Sequence, residues 1–445
     1  MNPYAERRAR LIAQMHAQGG GVAILATAPE TQRNSDADYP YRHDSSFYYL
    51  TGFAEPEAVV VLVAGAVNQS ILLCRDKNPE REIWDGFRYG PVQARDIFGF
   101  DAAYCIDAID TIIPDLLANV PALFYALGRN PALDAQVQTW LHKVRAQSRV
   151  GISAPATAHD ITGIVNEMRL VKDESEIAIM RSAADISSGA HARAMRATAP
   201  GLREYQIEAE LLHEFRRHGS DFPAYTSIVA TGANACVLHY RAGSTVVQNN
   251  DLILIDAGCE LDGYASDITR TYPATGRFSP AQKTLYQIVL DAQQAAFAAT
   301  GPGKRFVDGH NAATRVLAQG MLDTGLLDAN KVGTLDDVIA GGVYRQFYMH
   351  RTGHWLGMDV HDVGGYHELG EAANDKGDKP SRILHPGMVL TVEPGLYVRP
   401  APGVPEQFWH IGIRIEDDVA ITSSGIDILS TAPKTIAEIE AVMAR

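Results

Sequence analysis

The fold of this chain is decided by three stretches near its end, HRTGHWLGMDVHD at residues 350–362, PGMVLTVEPG at 386–395 and IGIRIEDD at 411–418. The first stretch holds three histidines. In the other two, Glu393 and Glu416 each end a short apolar run of the kind that forms β-strands. A carboxylate at the end of such a strand is costly to desolvate unless a cation meets it. These stretches therefore predict strands that deliver acidic side chains to a cationic centre.

A second acidic pattern lies upstream, where LILID at residues 252–256 ends in Asp256 and SDITR at 266–270 contains Asp267. The turn signal LDG at 261–263 lies between them, so the two runs predict a hairpin with both aspartates on one face. We expect residues 391–393 and 414–416 to form a second strand pair aimed at the same point.

Four carboxylates beside one imidazole, that of His354, favour hard or borderline divalent ions such as manganese. Their charge exceeds that of one divalent ion, so two ions sharing bridging carboxylates fit better. Any one of these carboxylates alone is explained as a solvated turn residue, and only their joint occurrence favours a metal site. His239, His350 and His361 are weaker candidates, because a lone histidine is more often a core or surface residue. Their nearness to the predicted centre favours contact with a substrate.

The length and composition of the chain limit its domain organisation, its partners and its location. A chain of 445 residues has room for two domains, and 46% hydrophobic residues can form ordinary cores. The net charge of −14 disfavours nucleic acids and anionic membranes as partners. The four cysteines form no C-x-x-C pair, which favours free thiols in a reducing compartment. Without a signal-peptide pattern or an apolar run long enough to span a membrane, we expect a cytoplasmic protein.

Strands alternating with helices predict an α/β domain over residues 1–165, and helices followed by antiparallel strands predict an α+β domain over 170–445. Glycine, serine and proline at residues 151–158 indicate a linker. In the first predicted helix, Arg7, Arg8 and Arg10 are placed on the polar side. Asp173 and Glu176 match a capping box at the start of a long helix. Besides the long helix that begins after Asp173, helices are predicted at residues 4–18 (the first helix), 110–118, 133–147, 204–218, 280–300 and 307–323.

Other catalytic motifs are missing from the sequence. GPGKR at residues 301–305 lacks the spacing and the Ser/Thr of a phosphate-binding loop, and HELGE at 367–371 lacks the second histidine of a zincin helix. No G-x-G-x-x-G follows a strand and no G-x-S-x-G occurs, which disfavours a dinucleotide site and an α/β-hydrolase serine.

The acidic and histidine motifs resemble the pita-bread metallopeptidase family, which includes methionine aminopeptidase, prolidase, creatinase and aminopeptidase P. The resemblance covers nearly the whole chain and is strongest to the aminopeptidase P branch. Arg351 departs from it, since a glycine is expected directly after His350, and only the local loop shape is affected. The resemblance rests on residues 350–416, IDAG at 255–258 and SDITR at 266–270, and for the branch on SDADYPYR at 35–42, WDG at 84–86 and VLHY at 237–240.

The resemblance implies a metal site with two divalent ions, manganese(II) ahead of cobalt and zinc. Asp256 and Asp267 are then ligands of one ion, His354 and Glu393 are ligands of the other, and Asp267 and Glu416 bridge the two. A water activated by the ions would attack the scissile carbonyl, and Glu393 would carry its proton to the leaving nitrogen.

The resemblance also implies substrate contacts and assembly. The carbonyl oxygen would be steadied by His361 and His239. The chain would form a homo-oligomer, a dimer or tetramer, in which Trp84 closes the proline pocket from a neighbouring subunit. The implied walls of that pocket are His350, Tyr225 and Arg414.

The implied function is release of the N-terminal residue from peptides whose second residue is proline. The Xaa-Pro bond has no N–H and a locked φ, so proteases that bind substrates as extended strands handle it poorly. Three alternatives stay open at this point. A prolidase shares the metal site but cleaves Xaa-Pro dipeptides, a creatinase-like enzyme is an amidinohydrolase, and a non-catalytic binding protein would keep only the fold.

Overall fold

The computed structural model describes residues 2–374 and 377–444, and the chain divides into two compact units, Met1–Met168 and Arg169–Arg445. Within the described residues, every helix is too short or too polar to cross a lipid bilayer.

The N-terminal unit is an α/β sheet domain. Its sheet has the strand order β6-β5-β4-β1-β7-β8, with β1 antiparallel to β4 and parallel to β7. Strands β1 and β4 are apolar on both faces, as expected of strands in the middle of a sheet that is covered on both sides. The helices are α1 (Pro3–Ala17), α2 (Ser45–Thr51), α3 (Pro79–Asp85), α4 (Gly90–Phe98), α5 (Ile109–Leu117) and α6 (Pro131–Arg145). The strands are β1 (Gly21–Ala26), β2 (Gln32–Asn34), β3 (Ala37–Asp38), β4 (Val59–Ala64), β5 (Gln69–Cys74), β6 (Ala102–Cys105), β7 (Ala122–Tyr125) and β8 (Thr157–Asp160).

Two local predictions in this unit are wrong. Arg7 and Arg8 are buried rather than solvated, because the guanidinium of Arg8 donates to the carbonyl oxygens of Leu50 and Phe98, each at 3.0 Å. Burial lowers the pKa of Arg8 to about 10. The predicted linker at 151–158 overlaps β8, which pairs in parallel with β7 and completes the sheet.

The C-terminal unit is an α+β domain in which long helices pack on short antiparallel sheets. The helix α7 (Thr162–Leu170) spans the division between the units. The later helices are α8 (Glu174–Ala197), α9 (Glu204–Arg217), α10 (Pro280–Ala299), α11 (Phe306–Asp323), α12 (Ala329–Val332), α13 (Leu335–Gly341) and α14 (Ile436–Val442). The strands are β9 (Phe222–Pro223), β10 (Ile228–Thr231), β11 (Leu252–Asp256), β12 (Cys259–Leu261), β13 (Tyr264–Ala265), β14 (Thr269–Pro273), β15 (Val389–Val392), β16 (Gly395–Val398), β17 (Ile411–Arg414), β18 (Asp417–Ile421) and β19 (Ile426–Ile428). The capping box predicted for α8 is confirmed.

The predicted upstream hairpin is confirmed. Strand β11 pairs antiparallel with β14, so that Asp256 lies opposite Thr269. At the tip, Asp262 and Gly263 both have positive φ, 48° and 79°, as a tight hairpin turn requires. Gly258 lets the two arms approach, since a Cβ there would lie 1.8 Å from the carbonyl oxygen of Ser266. The close approach places Asp256 and Asp267 at the same end of the sheet.

The second strand pair is also confirmed, with one difference. Strand β15 pairs with β18 and β16 pairs with β17, so both long arms are interrupted at their glutamates. At the interruptions, the N–H of Glu393 donates to the carbonyl of Thr352 at 2.8 Å, and the N–H of Glu416 donates to that of Thr269 at 3.0 Å. Each glutamate is thereby held against a segment that carries another predicted metal ligand.

Candidate active site

The two aspartates of the upstream hairpin meet at one hydroxyl group. Tyr225 donates to Asp256 at 2.6 Å and lies 2.5 Å from Asp267, in each case to Oδ1. The backbone N–H of Asp267 donates to the buried carboxylate of Asp418 at 3.1 Å. The hairpin therefore presents both carboxylates in fixed orientations at the base of a cavity.

His354 offers a ring nitrogen that could bind a metal ion. Its Nδ1 lies 3.0 Å from the carbonyl oxygen of Trp355, so Nδ1 carries the proton and Nε2 is left as the donor atom for a metal. Nε2 lies 3.3 Å from Asp267 and 3.9 Å from Glu393. Glu416, whose carboxylate accepts from the Thr269 hydroxyl at 2.6 Å, completes the group. One ligand atom from each of Asp267, His354 and Glu416 lies within 4.8 Å of the other two.

The electrostatics of the base favour a bound cation. Burial raises the pKa of Asp267, Glu393 and Glu416, and neighbouring carboxylates raise it further. The pKa of Glu393 is about 7, although His354 and Arg414 lower it. Carboxyl groups this crowded do not all ionise unless positive charge is added. Oxygen ligands with one imidazole suit divalent metal ions, and the residues present fit such an ion.

Arg414 is the buried cation at this base. Its guanidinium lies 2.6 Å from Asp256 and also donates to Thr269 at 3.1 Å and to the Tyr397 hydroxyl at 2.9 Å. Burial would raise the pKa of Asp256, but Arg414 holds it below its ordinary value. The same Tyr397 hydroxyl lies 2.8 Å from Nε2 of His350. Arg414 thus links the acidic base to the wall that contains His350.

The histidines line a cavity of about 1490 Å³ above this base. The rings of His354 and His361 lie 4.1 Å apart between centroids. Burial lowers the pKa of His361, and the nearby His354 and His239 lower it further. Burial also lowers the pKa of His350 to about 3, so this ring is neutral at physiological pH.

The cavity brings together all the predicted site residues of the C-terminal unit. Trp84 belongs to the N-terminal unit, where it lies on α3 with 82% of its surface exposed. The predicted residues on the cavity wall are Tyr225, His239, Asp256, Asp267, His350, His354, His361, Glu393, Arg414 and Glu416.

Sequence reasoning missed three residues that hold the site together. Asp418 and Thr269 lie within motifs that the sequence already singles out, one two residues after Glu416 and the other two residues after Asp267. Tyr397 follows a strand signal with no local sign of its role. Its contacts with His350 and Arg414 exist only in the folded chain.

Comparisons with known proteins show the family of this chain. The chain matches the model of metallopeptidase family M24 over residues 178–423 and that of the aminopeptidase P N-terminal domain over residues 4–125. It is 43% identical to Xaa-Pro aminopeptidase of Escherichia coli, covering 99% of this chain and 97% of the relative. The corresponding protein of Haemophilus influenzae is 42% identical, with coverage of 99% and 96%.

Solved structures agree as well. Aminopeptidase PepP of Pseudomonas aeruginosa has a TM-score of 0.94 at 48% identity, covering 99% of this chain and 97% of the other. A zinc-substituted E. coli aminopeptidase P in complex with product has a TM-score of 0.92 at 42% identity, with the same coverage. The chain therefore belongs to metallopeptidase family M24 and carries the N-terminal domain of the aminopeptidase P type.

Proposed function

We propose that this protein releases the N-terminal residue from peptides whose second residue is proline, at a centre that takes two divalent metal ions. The observation that carries the proposal is the convergence of Asp256, Asp267, His354, Glu393 and Glu416 on one cavity base. The names of the relatives, Xaa-Pro aminopeptidase, support the same reaction.

In this proposal, Asp256 and Asp267 would hold one ion, His354 and Glu393 would hold the other, and Asp267 and Glu416 would be shared between the two. Bound divalent ions supply Lewis acidity and lower the pKa of a bound water towards neutrality. The hydroxyl of Tyr225, which contacts both aspartates, orients these two ligands in addition to lining the cavity.

Side chains of the protein then transfer the proton and stabilise the developing negative charge. Glu393, on the cavity wall, is placed to accept a proton from water and pass it to the leaving nitrogen. His361 and His239, on the cavity wall, steady the carbonyl oxygen as negative charge develops on it. Neutral His350, held by the Tyr397 hydroxyl, forms a wall for the proline ring.

Proline selectivity follows from the same arrangement. The nitrogen of an Xaa-Pro bond carries no hydrogen, so a site that needs an N–H donor there loses an interaction. A metal centre makes no such demand, and a pocket for the ring beside His350 can supply the selectivity.

We assign manganese(II) as the native metal ahead of cobalt and zinc, since the site offers oxygen ligands and a single nitrogen. The relative solved in zinc-substituted form indicates that a site of this type also accepts zinc. Chelation should abolish peptide hydrolysis. Adding back single metals should restore the highest kcat/KM with manganese, and equal or better recovery with zinc would contradict this assignment.

Trp84 is assigned to the contact between subunits. Three neighbouring large apolar side chains, those of Ile83, Trp84 and Phe87, are each more than 60% exposed in the single chain. Such a cluster is typical of a surface that is covered in an oligomer. The proposal is a dimer or tetramer in which Trp84 closes a neighbour's proline pocket. Sedimentation of Trp84→Ser against the unchanged protein tests it, and an unchanged mass together with an unchanged KM would reject it.

The experiment that tests the function compares an Xaa-Pro dipeptide with the matching Xaa-Pro-Xaa tripeptide, using Xaa-Ala-Xaa as control. We expect the tripeptide to be cleaved with the highest kcat/KM and the alanine peptide to be a poor substrate. Exclusive cleavage of the dipeptide would identify a prolidase, and turnover of creatine alone would identify an amidinohydrolase. No metal-dependent turnover of any of these would favour a binding protein.

A further inference from the structure

The segment at residues 232–245 carries His239 to the cavity, and its own secondary structure is slight. Between β10 and β11 it contains one short 3-10 turn, Gly232–Cys236, and little other regular structure. The residues of this segment on the cavity wall are Leu238, His239, Tyr240 and Arg241. A segment with few backbone hydrogen bonds needs another source of order if it is to hold a side chain in place.

That source is a buried carboxylate on a different element. Glu204, the first residue of α9, has no exposed surface. Its Oε1 accepts from the N–H of Thr231 and from the side-chain amide of Asn234, both at 2.9 Å. Its Oε2 accepts from the Tyr240 hydroxyl at 2.8 Å and from the N–H of Gly243 at 3.1 Å. One side chain thus contacts the start, the middle and the end of the segment.

The charge of Glu204 is stabilised by donors rather than by a cation. Among the described residues, no Lys, Arg or His nitrogen forms an ion pair with it, whereas four donors are directed at its two oxygens. Hydrogen bonds to an ionised group are stronger than neutral ones, and a buried carboxylate without partners is costly. Its position at the start of α9 adds the favourable end of the helix dipole.

The backbone of the same helix start joins this arrangement. The N–H of Glu204 donates to the carbonyl of Thr245 at 3.2 Å, and that of Tyr205 donates to Gly243 at 3.2 Å. Asn234 also donates to the Tyr240 hydroxyl at 3.0 Å, which closes a ring of contacts around the carboxylate. Displacing Glu204 would therefore release both ends of the segment together.

We infer that Glu204 is a positioning residue that sets the location of His239 in the active site. It touches no reacting atom, and it acts by fixing the segment from which His239 extends. The inference rests on the proposed function, in which His239 steadies the carbonyl oxygen. A displacement of about 1 Å in such a group can reduce the rate about a hundredfold.

The variant Glu204→Gln tests the inference with almost no change of volume. An amide has one acceptor oxygen, so two of the four donors would face an NH₂ group instead of an oxygen. Glu208→Gln, one turn further along α9 and only half-buried, is the matched control. We expect kcat on an Xaa-Pro-Xaa peptide to fall about tenfold to hundredfold in Glu204→Gln, with metal content unchanged. The control should keep the activity of the unchanged protein.

A double-mutant cycle with His239→Ala separates positioning from general stability. If Glu204 acts through His239, the Glu204→Gln substitution should have little further effect on kcat once the imidazole is gone. An equal fold-loss in both backgrounds would overturn the inference. Should Glu204→Gln fail to fold, Asn234→Ala removes one donor to the carboxylate and enters the same cycle.

Hydrogen–deuterium exchange provides a readout that does not need turnover. Residues 232–245 should exchange faster in Glu204→Gln than in Glu208→Gln, while the hairpin β11–β14 stays protected. Unchanged exchange in that segment would overturn the inference whatever the kinetics. If the unchanged protein cleaves none of the proline peptides, the proposed function fails, and the exchange result still decides whether Glu204 holds the segment.

Discussion

The acidic base of the active site and its histidine walls are built in different ways. The carboxylates lie at the ends or interruptions of paired strands, so backbone register places them. The walls that carry His239 and His361 come from irregular segments at residues 232–245 and 355–364, which are held by the buried carboxylates of Glu204 and Asp362. The base is thus fixed by local strand pairing, whereas the walls depend on side chains far away in the sequence.

The two wall segments also differ from each other in the interactions that hold them in place. Glu204 is satisfied by hydrogen-bond donors, but Asp362 is held by two buried cations, Arg169 at 2.7 Å and Lys172 at 2.8 Å. Arg169 also pairs with Asp359 of the same segment at 2.8 Å. A buried charge that loses its ionic partner costs more free energy than one that loses a hydrogen bond. We therefore expect the His361 segment to be the more sensitive of the two to single substitutions.

The largest effect is expected at the base. Glu416→Gln removes a charge from the metal-binding group, so the protein should lose metal and its kcat/KM should fall at least about a thousandfold. Metal content after dialysis and kcat/KM on an Xaa-Pro-Xaa peptide measure the two effects. The metal-free variant should unfold at no lower temperature than metal-free unchanged protein, because burial and the neighbouring carboxylates raise the pKa of Glu416 and so disfavour the charged form that glutamine lacks. Full activity would refute the bridging role of Glu416.

Lys172→Met should destabilise the protein by about 3 kcal/mol, since Asp362 is then left buried with one cation instead of two. Urea denaturation of the metal-loaded protein measures the change. Asp336→Asn removes half of an exposed ion pair with Arg315 and serves as control, with an expected change below about 0.5 kcal/mol. Equal effects of the two substitutions would mean that the buried ion pair of Asp362 contributes no more to stability than an exposed one.

His361→Ala should reduce kcat about a hundredfold while metal content stays unchanged, because the imidazole acts on the substrate and not on the ions. The contrast with Glu416→Gln separates the walls from the base. Loss of metal in His361→Ala would place this ring among the ligands and contradict the division.

The same difference between the acidic base and the walls explains which parts of the structure could be predicted from the sequence. LILID, LDG and SDITR predicted the hairpin that joins Asp256 to Asp267, because strand periodicity and turn residues are local signals. From the sequence alone, Glu204 is recognised only as an acidic residue at the start of a helix. That its oxygens meet Thr231 and Gly243 depends on how α9 packs, which no local pattern encodes.

The wrong predictions have the same origin. The helical pattern placed Arg7 and Arg8 towards solvent, but the folded chain supplies backbone carbonyls, those of Leu50 and Phe98 among them, which satisfy a buried guanidinium. Residues 151–158 have the composition of a linker, and the strand β8 forms there only because β7 offers an edge to pair with. In both cases the deciding partner lies far away in the sequence.

The smallest predicted effect is a change with pH in the free energy of unfolding of the metal-free protein. The part considered arises from Glu393 and His354 at the acidic base. The folded pKa of Glu393 is raised to about 7 from an ordinary 4.5, so its contribution to stability is complete below pH 4.5 and is lost as pH rises through 7. The pKa of His354 is raised to about 9 from 6.5, since Asp267 and Glu393 outweigh its burial. Its contribution is complete below pH 6.5 and is lost as pH rises through 9.

Both groups therefore act in the same direction, and their joint contribution to the free energy of unfolding of the metal-free protein should fall between about pH 4.5 and 9. His350, whose pKa burial lowers to about 3, contributes in the opposite direction up to about pH 6.5. Urea denaturation at a series of pH values measures this dependence, with Glu393→Gln as the matched variant, in which the pKa of His354 also loses the raising effect of Glu393. The stability of the variant relative to the unchanged protein should rise as pH increases from about 4.5 to 7. Saturating manganese should remove the difference, since bound ions favour the deprotonated ligands. Identical pH dependence of the two proteins without metal would mean that the pKa of Glu393 is no higher in the folded chain than in the unfolded one. Repulsion between the carboxylates at the base would then be reduced by something other than proton binding.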